Sequence, residues 1–337
     1  MRASLITGLA GAHLSAEEAR FLAGVRPCGI ILFARNCVNP YQLRELIRDA
    51  KSAIGSDDVL VLIDQEGGRV RRLMPPHWRE LPPAASFASV AAEDSDQAER
   101  AARLVARLTA ADLKEVGINS NCVPVLDIPA PGSHEIIGNR AYGTTPEAVA
   151  RLGRAVAEGH LAGGVLPVIK HMPGHGRARA DSHLELPVVD APRAELSAID
   201  FAPFHALNDL PAAMTAHVVY TAIDADAPAS ISEIVTREIM RGEIGFDGLL
   251  MSDDLSMKAL TGDMRTRAEA VIRAGSDVVL HCNGNLAEME QAAAGVPPLT
   301  GQRLRRFERC LSVLARNEAF DRAEAEAALG QVLMAAV

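Results

Sequence analysis

The sequence predicts an α/β fold, a single (β/α)8 barrel of the TIM type with a C-terminal helical extension. Three observations carry that reading. Short β-branched apolar runs alternate with helix-period segments almost from end to end, there are eight such runs, and most of them end in polar or ionisable residues. Near-continuous apolar strands separated by amphipathic helices describe a parallel sheet covered on both faces. Eight strands in one chain suggest closure. The 337 residues suit one barrel of about 250 residues plus extensions, so residues 1–337 are expected to form one domain.

The expected strands are Ala3 to Thr7, Gly29 to Phe33, Val59 to Ile63, Ile118 to Val125, Leu166 to Lys170, Ala212 to Ala216, Gly248 to Ser252 and Asp277 to Leu280. Between them lie helical patterns at Pro40 to Ala53, Gln97 to Val116, Thr145 to Ala162, Arg193 to Leu207, Ser232 to Gly242 and Thr266 to Ala274. Pro40 behind Asn39 reads as an N1 proline after a capping asparagine, and Gly117 and Gly163 stand where glycines end helices. Helices over Gly301 to Asn317 and Arg322 to Met334 are expected to close the same domain.

Lys and Arg number 34 against 43 Asp and Glu, a net charge of −9, which disfavours nucleic-acid and anionic-membrane partners. Hydrophobic residues at 48% and charged residues at 23% exclude disordered and collagen-like chains. Cys28, Cys37, Cys122, Cys282 and Cys310 form no C-x-x-C pair, a poor framework for disulfides or zinc. A reducing compartment is the simpler expectation. The apolar stretch from Ala3 to Leu14 is too short for a secretory signal, and no window reaches the 18 or so apolar residues that span a bilayer.

The strand ends are the first functional signal. Arg35 and Asn36, Asp64, Asp127, Lys170 and His171, His217, Asp253 and Asp254, and His281 each follow an apolar run. Any one strand must meet polar residues on leaving the core. Seven together point to the C-terminal mouth of a barrel, where functional groups gather.

Three segments are rich in chemistry. Lys170-His171-Met172-Pro173-Gly174-His175-Gly176 leads to Asp181-Ser182-His183. On an extended segment Asp181 and His183 point the same way, and a carboxylate on one ring nitrogen favours the protonated imidazole and leaves the other nitrogen for proton transfer. Spacing alone does not separate this from a solvated loop. The histidines and Asp181 also suit a metal by donor type, but they lack the helical register of a zinc-protease site. No metal is expected. The loop from Met172 to His183 holds no apolar run and is expected to be mobile.

Asp64-Gln65-Glu66-Gly67-Gly68-Arg69-Val70-Arg71-Arg72 joins a strand-end acid to paired glycines and arginines, a polar clamp or a tight turn. Gly138-Asn139-Arg140 repeats the pattern weakly. In Ser252-Asp253-Asp254-Leu255-Ser256-Met257 one carboxylate must face the axis and the other away. Periodicity does not say which; Asp254 suits a helix N-cap, which leaves Asp253 as the reactive candidate.

Together these motifs resemble the family 3 glycoside hydrolases, and more narrowly the bacterial cytoplasmic β-N-acetylglucosaminidases of peptidoglycan recycling. The resemblance runs from Gly29-Ile30-Ile31-Leu32-Phe33-Ala34-Arg35-Asn36 to beyond Asp253. It implies a (β/α)8 barrel without metal or organic cofactor that cleaves with retention through a covalent glycosyl-enzyme. Asp253 is then the nucleophile and His183, partnered by Asp181, the acid/base. Asp64, Arg72, Arg140, Lys170 and His171 become ligands of a terminal N-acetylglucosamine. The implied partner is a small carbohydrate, an N-acetylglucosaminyl muropeptide, met in the cytoplasm by a monomer. Met172 stands where the family usually has an aromatic, and Arg177 where an acid is expected. With aromatics at only 4%, stacking platforms are scarce and polar groups must recognise the sugar. Other readings are a β-glucosidase or xylosidase and a glycoside phosphorylase. A metal-dependent hydrolase and a non-catalytic sugar-binding barrel are disfavoured, the latter because it has no use for Asp253 together with the Asp181/His183 pair.

Overall fold

The computed structural model describes residues 1–178 and 186–335. Eight parallel strands close into a barrel: β1 (Ala3–Gly8), β2 (Pro27–Leu32), β3 (Leu60–Ile63), β4 (Ser120–Asn121), β5 (Leu166–Met172), β6 (Ala212–Thr215), β7 (Leu249–Asp254) and β8 (Val278–His281). Each pairs with its sequence neighbours, and β1 closes the ring on β8 through Leu5 opposite Val279. All eight expected strands occur. The fourth is much shorter than Ile118 to Val125, because Pro124 has no N–H to donate; an isolated bridge from Val125 to Lys170 resumes the pairing beyond it.

The barrel is packed, not hollow. Ile6, Ile31, Leu60, Leu62, Leu166, Val168, Met214, Leu249, Met251, Val278 and Leu280 form one buried cluster inside it. Helix Gly301–Val313 seals the N-terminal mouth by adding Phe307, Cys310 and Val313 to that cluster, and helix Arg322–Met334 lays Ala325, Ala328, Leu329 and Val332 against helix Ser95–Glu115. Both behave as the expected closing helices.

Helix Pro40–Ile54 begins as its sequence suggests, with the Asn39 side chain accepting from the Gln42 N–H. Gly117 is left-handed, but at the other helix end the left-handed residue is Gly164 and not Gly163. The run from Arg193 to Leu207 is broken into a short α-turn, a π-helical segment Leu196–Asp200 and helix Ala202–Ala206, and Ser232 to Gly242 is largely π-helical. Helices Ala16–Val25, Ala84–Glu93 and Leu286–Ala294 were not singled out by periodicity.

The first part of the Met172 to His183 loop departs from expectation. Met172, His175 and Ala178 are buried, and Met172 packs with Phe201 and Phe204. The Gly176 carbonyl accepts from the Ala130 N–H at 3.1 Å and the Ala178 carbonyl from His134 at 2.9 Å. Gly176 lies so close to the Ile128 main chain that a Cβ would overlap its carbonyl. Arg177 reaches two acids: Nε lies 2.6 Å from Asp200 and a terminal nitrogen 2.6 Å from Glu195. Local apolarity was low, yet tertiary packing buries the segment through Asp200. Asp181 and His183 lie outside the described residues.

Candidate active site

Alternation along the strands chooses what the barrel offers at its C-terminal mouth. On β3 the interior residues Leu60 and Leu62 put Asp64 on the inward face; on β5 Leu166 and Val168 do the same for Lys170; on β7 Leu249 and Met251 do it for Asp253. These three line a cavity of about 280 Å³ together with Glu66, Arg72, Arg140 and His171. Small-molecule pockets run from about 300 to 1,000 Å³, so the space suits one ring better than a chain.

Gln65 builds the Asp64 side of this cavity. Its side-chain oxygen accepts from the N–H groups of Arg72 and Leu73 at 2.9 and 3.0 Å, which folds the Asp64 to Arg72 loop back on itself. Asn121 on β4 holds the Gln65 main chain from behind at 2.9 and 3.1 Å. So held, Asp64 receives Lys170 Nζ at 2.8 Å on one oxygen and Arg72 at 3.1 Å on the other. Lys170 also reaches Glu66 at 2.7 Å, and Arg140 grips Glu66 with two bonds of 2.8 Å. Four of the expected sugar ligands thus form one charged network.

Glu66 joins that network although sequence reasoning did not single it out. Burial works against its charge, but Lys170 and Arg140 outweigh burial and hold its carboxyl at about 2. Asp64 is likewise driven well below the ordinary carboxylate range by Lys170 and Arg72 against its burial. Lys170 is pushed up for the same reason, its burial being overcome by Asp64 and Glu66.

His171 is oriented by Asp127, the second residue that sequence reasoning left without a role. The Asp127 carboxylate accepts from His171 Nδ1 at 2.7 Å and from the His175 N–H at 2.6 Å. The proton therefore sits on Nδ1, and Nε2 is left on the cavity side of the ring. Burial opposes ionisation of Asp127, yet His171 holds its carboxyl below the usual value. His175, buried beside His171, is pushed down to about 4.

Asp253 is only partly buried, and among the described residues its one hydrogen bond comes from the Asp254 N–H, 2.8 Å from Oδ1. Burial raises its proton affinity, but His171, the Asp254 N–H and Lys170 lower it further, so the carboxylate is charged across the neutral range. Asp254 does not cap a helix. Its carboxylate accepts from the N–H groups of Ser256 and Cys282 at 3.0 Å each and ties β7 to β8; the next helix is Met264–Ala274, capped by Asp263.

A parallel eight-stranded barrel that presents an ionised carboxylate to a ring-sized cavity lined by paired acids and bases is the arrangement of a carbohydrate-cleaving enzyme. Residues 5–304 match the glycosyl hydrolase family 3 N terminal domain. The beta-hexosaminidase of Idiomarina loihiensis is 38% identical over 311 residues, 90% of this chain and 92% of that protein, and that of Alkalilimnicola ehrlichii is 42% identical over 283 residues, 83% of this chain and 80% of its own length. Among solved structures, NagZ from Neisseria gonorrhoeae in complex with N-trifluoroacetyl-D-glucosamine superposes with a TM-score of 0.87 at 34% identity, covering 100% of this chain and 98% of that one. Beta-N-acetylhexosaminidase from Beutenbergia cavernae gives 0.76 at 27% identity, over 98% and 96% of the two chains. The chain belongs to glycosyl hydrolase family 3, as a glycoside hydrolase of the β-N-acetylhexosaminidase type. No helix among the described residues is long and apolar enough to cross a membrane, and all five cysteines are free thiols.

Proposed function

We propose that this enzyme is a retaining exo-β-N-acetylglucosaminidase that removes the non-reducing terminal N-acetylglucosamine from peptidoglycan fragments, including N-acetylglucosaminyl anhydro-muramic acid and muropeptides, in the cytoplasm. One observation carries the reading: Asp253, charged and with a single hydrogen bond among the described residues, faces a one-ring cavity whose other walls are Asp64, Arg72, Lys170 and His171. The bound N-trifluoroacetyl-D-glucosamine of the gonococcal relative supports an acetamido sugar as occupant.

In the first step an Asp253 oxygen attacks the anomeric carbon, the glycosidic C–O bond breaks, and the imidazolium of His183 gives its proton to the departing oxygen. Asp181 favours that charged form. In the second step a water attacks the same carbon, the bond to Asp253 breaks with its electron pair returning to the carboxylate, and the now neutral His183 takes the proton of the water. Asp64 and Arg72 hold sugar hydroxyls, Lys170 donates to the ring substituents, His171 meets them through Nε2, and Arg140 supports them through Glu66.

Turnover of 4-nitrophenyl β-N-acetylglucosaminide against the corresponding glucoside tests the specificity. Strong preference for the acetamido sugar is expected, and comparable rates on the two defeat the assignment. Product analysis in phosphate buffer is expected to give N-acetylglucosamine; its 1-phosphate would make the enzyme a phosphorylase.

A further inference from the structure

Behind the cavity wall stands a buried histidine that the two-step reaction does not use. His217 follows β6 and is fully buried. Its Nε2 lies 3.0 Å from the main-chain oxygen of Asp254, and its Nδ1 lies 2.6 Å from the Ser230 hydroxyl. A main-chain carbonyl only accepts, so Nε2 carries the proton, Nδ1 accepts, and the Ser230 hydroxyl donates. Ser230 is held in turn by its own N–H, which donates to the Ala216 carbonyl at 3.2 Å. Burial lowers the basicity of the ring, which keeps this neutral tautomer in place.

What His217 holds is the residue after Asp253. Asp254 is gripped at three points. Its carbonyl accepts from His217, its carboxylate accepts from the N–H groups of Ser256 and Cys282, and its own N–H donates to Asp253 Oδ1. Strands β6, β7 and β8 are therefore tied together where the Asp253 carboxylate emerges, and the peptide groups on both sides of Asp254 are fixed. A carboxylate that must meet an anomeric carbon along one line is sensitive to displacements of about 1 Å, which can cost about a hundredfold in rate.

We propose that His217, with Ser230 locking its tautomer, is a positioning residue that sets the line of attack of Asp253 without touching substrate. The inference rests on Asp253 being the nucleophile. A histidine that merely fills the core is replaceable by an apolar ring at a cost in stability alone. One that positions a nucleophile shows itself in kcat, with substrate binding spared.

The variants are H217F, which keeps the bulk and loses the donor, H217Q, whose amide can still donate to Asp254, and S230A. The readouts are kcat and KM on 4-nitrophenyl β-N-acetylglucosaminide, the inhibition constant of free N-acetylglucosamine, the rate at which a 5-fluoro N-acetylglucosaminyl fluoride labels the enzyme, and circular dichroism. H217F is expected to lower kcat and the labelling rate about tenfold to a hundredfold while KM and the inhibition constant stay within about twofold. H217Q is expected to recover most of the loss, with S230A between the two. Native kcat and labelling in folded H217F, an equal loss in H217Q, or a loss expressed in KM and inhibitor binding overturns the proposal. Should H217F fail to fold, S230A decides: a severalfold fall in kcat at unchanged KM sustains the positioning role, and native kcat ends it. A label on a residue other than Asp253 in the unaltered enzyme defeats the nucleophile reading and the proposal with it, before any variant is made.

Discussion

At the N-terminal mouth of the barrel Asp277 is almost wholly buried, and its two oxygens receive Arg241 at 2.8 Å, Arg306 at 3.0 Å and the Leu250 N–H at 2.9 Å. At the C-terminal mouth Asp253, next to last in β7, lines the cavity and has, among the described residues, one main-chain hydrogen bond. Both are aspartates among basic side chains, one just before β8 and the other near the end of the adjacent β7. The difference is closure. Asp277 is saturated by groups that never leave, so its charge holds the β7 and β8 starts together; Asp253 has fewer partners among the described residues, which suits the nucleophilic role proposed for it. Asp64 and Glu66 stand between these extremes, paired with cations that still line the cavity. A buried acid marks structure or chemistry according to what its second oxygen meets.

Substitutions at the two mouths should separate cleanly. D253A is expected to lower kcat at least about a thousandfold with an unfolding free energy within about 1 kcal/mol of the parent, read from turnover and urea denaturation; a loss of fold instead would erase the contrast. D277A is expected to do the reverse, costing about 1.5–3 kcal/mol of stability because Arg241 loses its carboxylate and Arg306 one of its two, while kcat of the protein that remains folded is unchanged. The acid/base role proposed for His183 sharpens the comparison. H183A should slow substrates with poor leaving groups about a hundredfold or more, and activated aryl glycosides far less, because only the former need proton donation. Equal losses on both would make His183 a binding group.

Acid distinguishes the ends as well. His160 backs the C-terminal network through Asn121, 3.0 Å from its Nε2, and burial lowers its basicity to about 4. Between pH 6.5 and 4 the unfolded chain takes up a proton that the native ring refuses, so stability is lost as pH falls through that window. The loss traceable to this one group is about 2–3 kcal/mol. H160Q should flatten that part of the stability profile; an unchanged profile places the acid sensitivity elsewhere. The smallest effect is expected at Glu66, where E66Q removes the charge that Lys170 and Arg140 share. A rise of about tenfold in the inhibition constant of N-acetylglucosamine, with native stability, places Glu66 with the sugar ligands; lost stability with native binding would move it into the class of Asp277.

The strands were legible because a barrel strand is apolar on both faces, which gives runs such as Val59 to Ile63 and Leu166 to Ile169. That same property hid the choice between Asp253 and Asp254. Leu249, Leu250 and Met251 are all apolar, so only their packing, inside for Leu249 and Met251 and outside for Leu250, fixes which acid points to the axis. Asp64, Arg72, Lys170 and His171 were readable from motifs that end strands. Glu66 was not, since its meaning comes from Arg140, 74 residues away, and Asp127 acquires its role only through the ring of His171. The buried stem from Met172 to Ala178 escaped notice for a similar reason. Its polar residues are satisfied by Asp127 and Asp200, which local composition does not announce.

The pairing of β1 with β8 also bears on how the chain is made. Residues 3 to 8 leave the ribosome well before their second neighbour, which is not synthesised until residues 278 to 281 have been added. Throughout elongation a strand of six residues, buried on almost its whole length in the finished protein, keeps one edge unpaired. Such an edge is a template for pairing with other nascent chains. The helix that seals the barrel floor, Gly301–Val313, arrives later still. Chains halted between residues 254 and 278 should therefore be captured by chaperones or aggregate, and release past residue 313 should restore solubility in a single step.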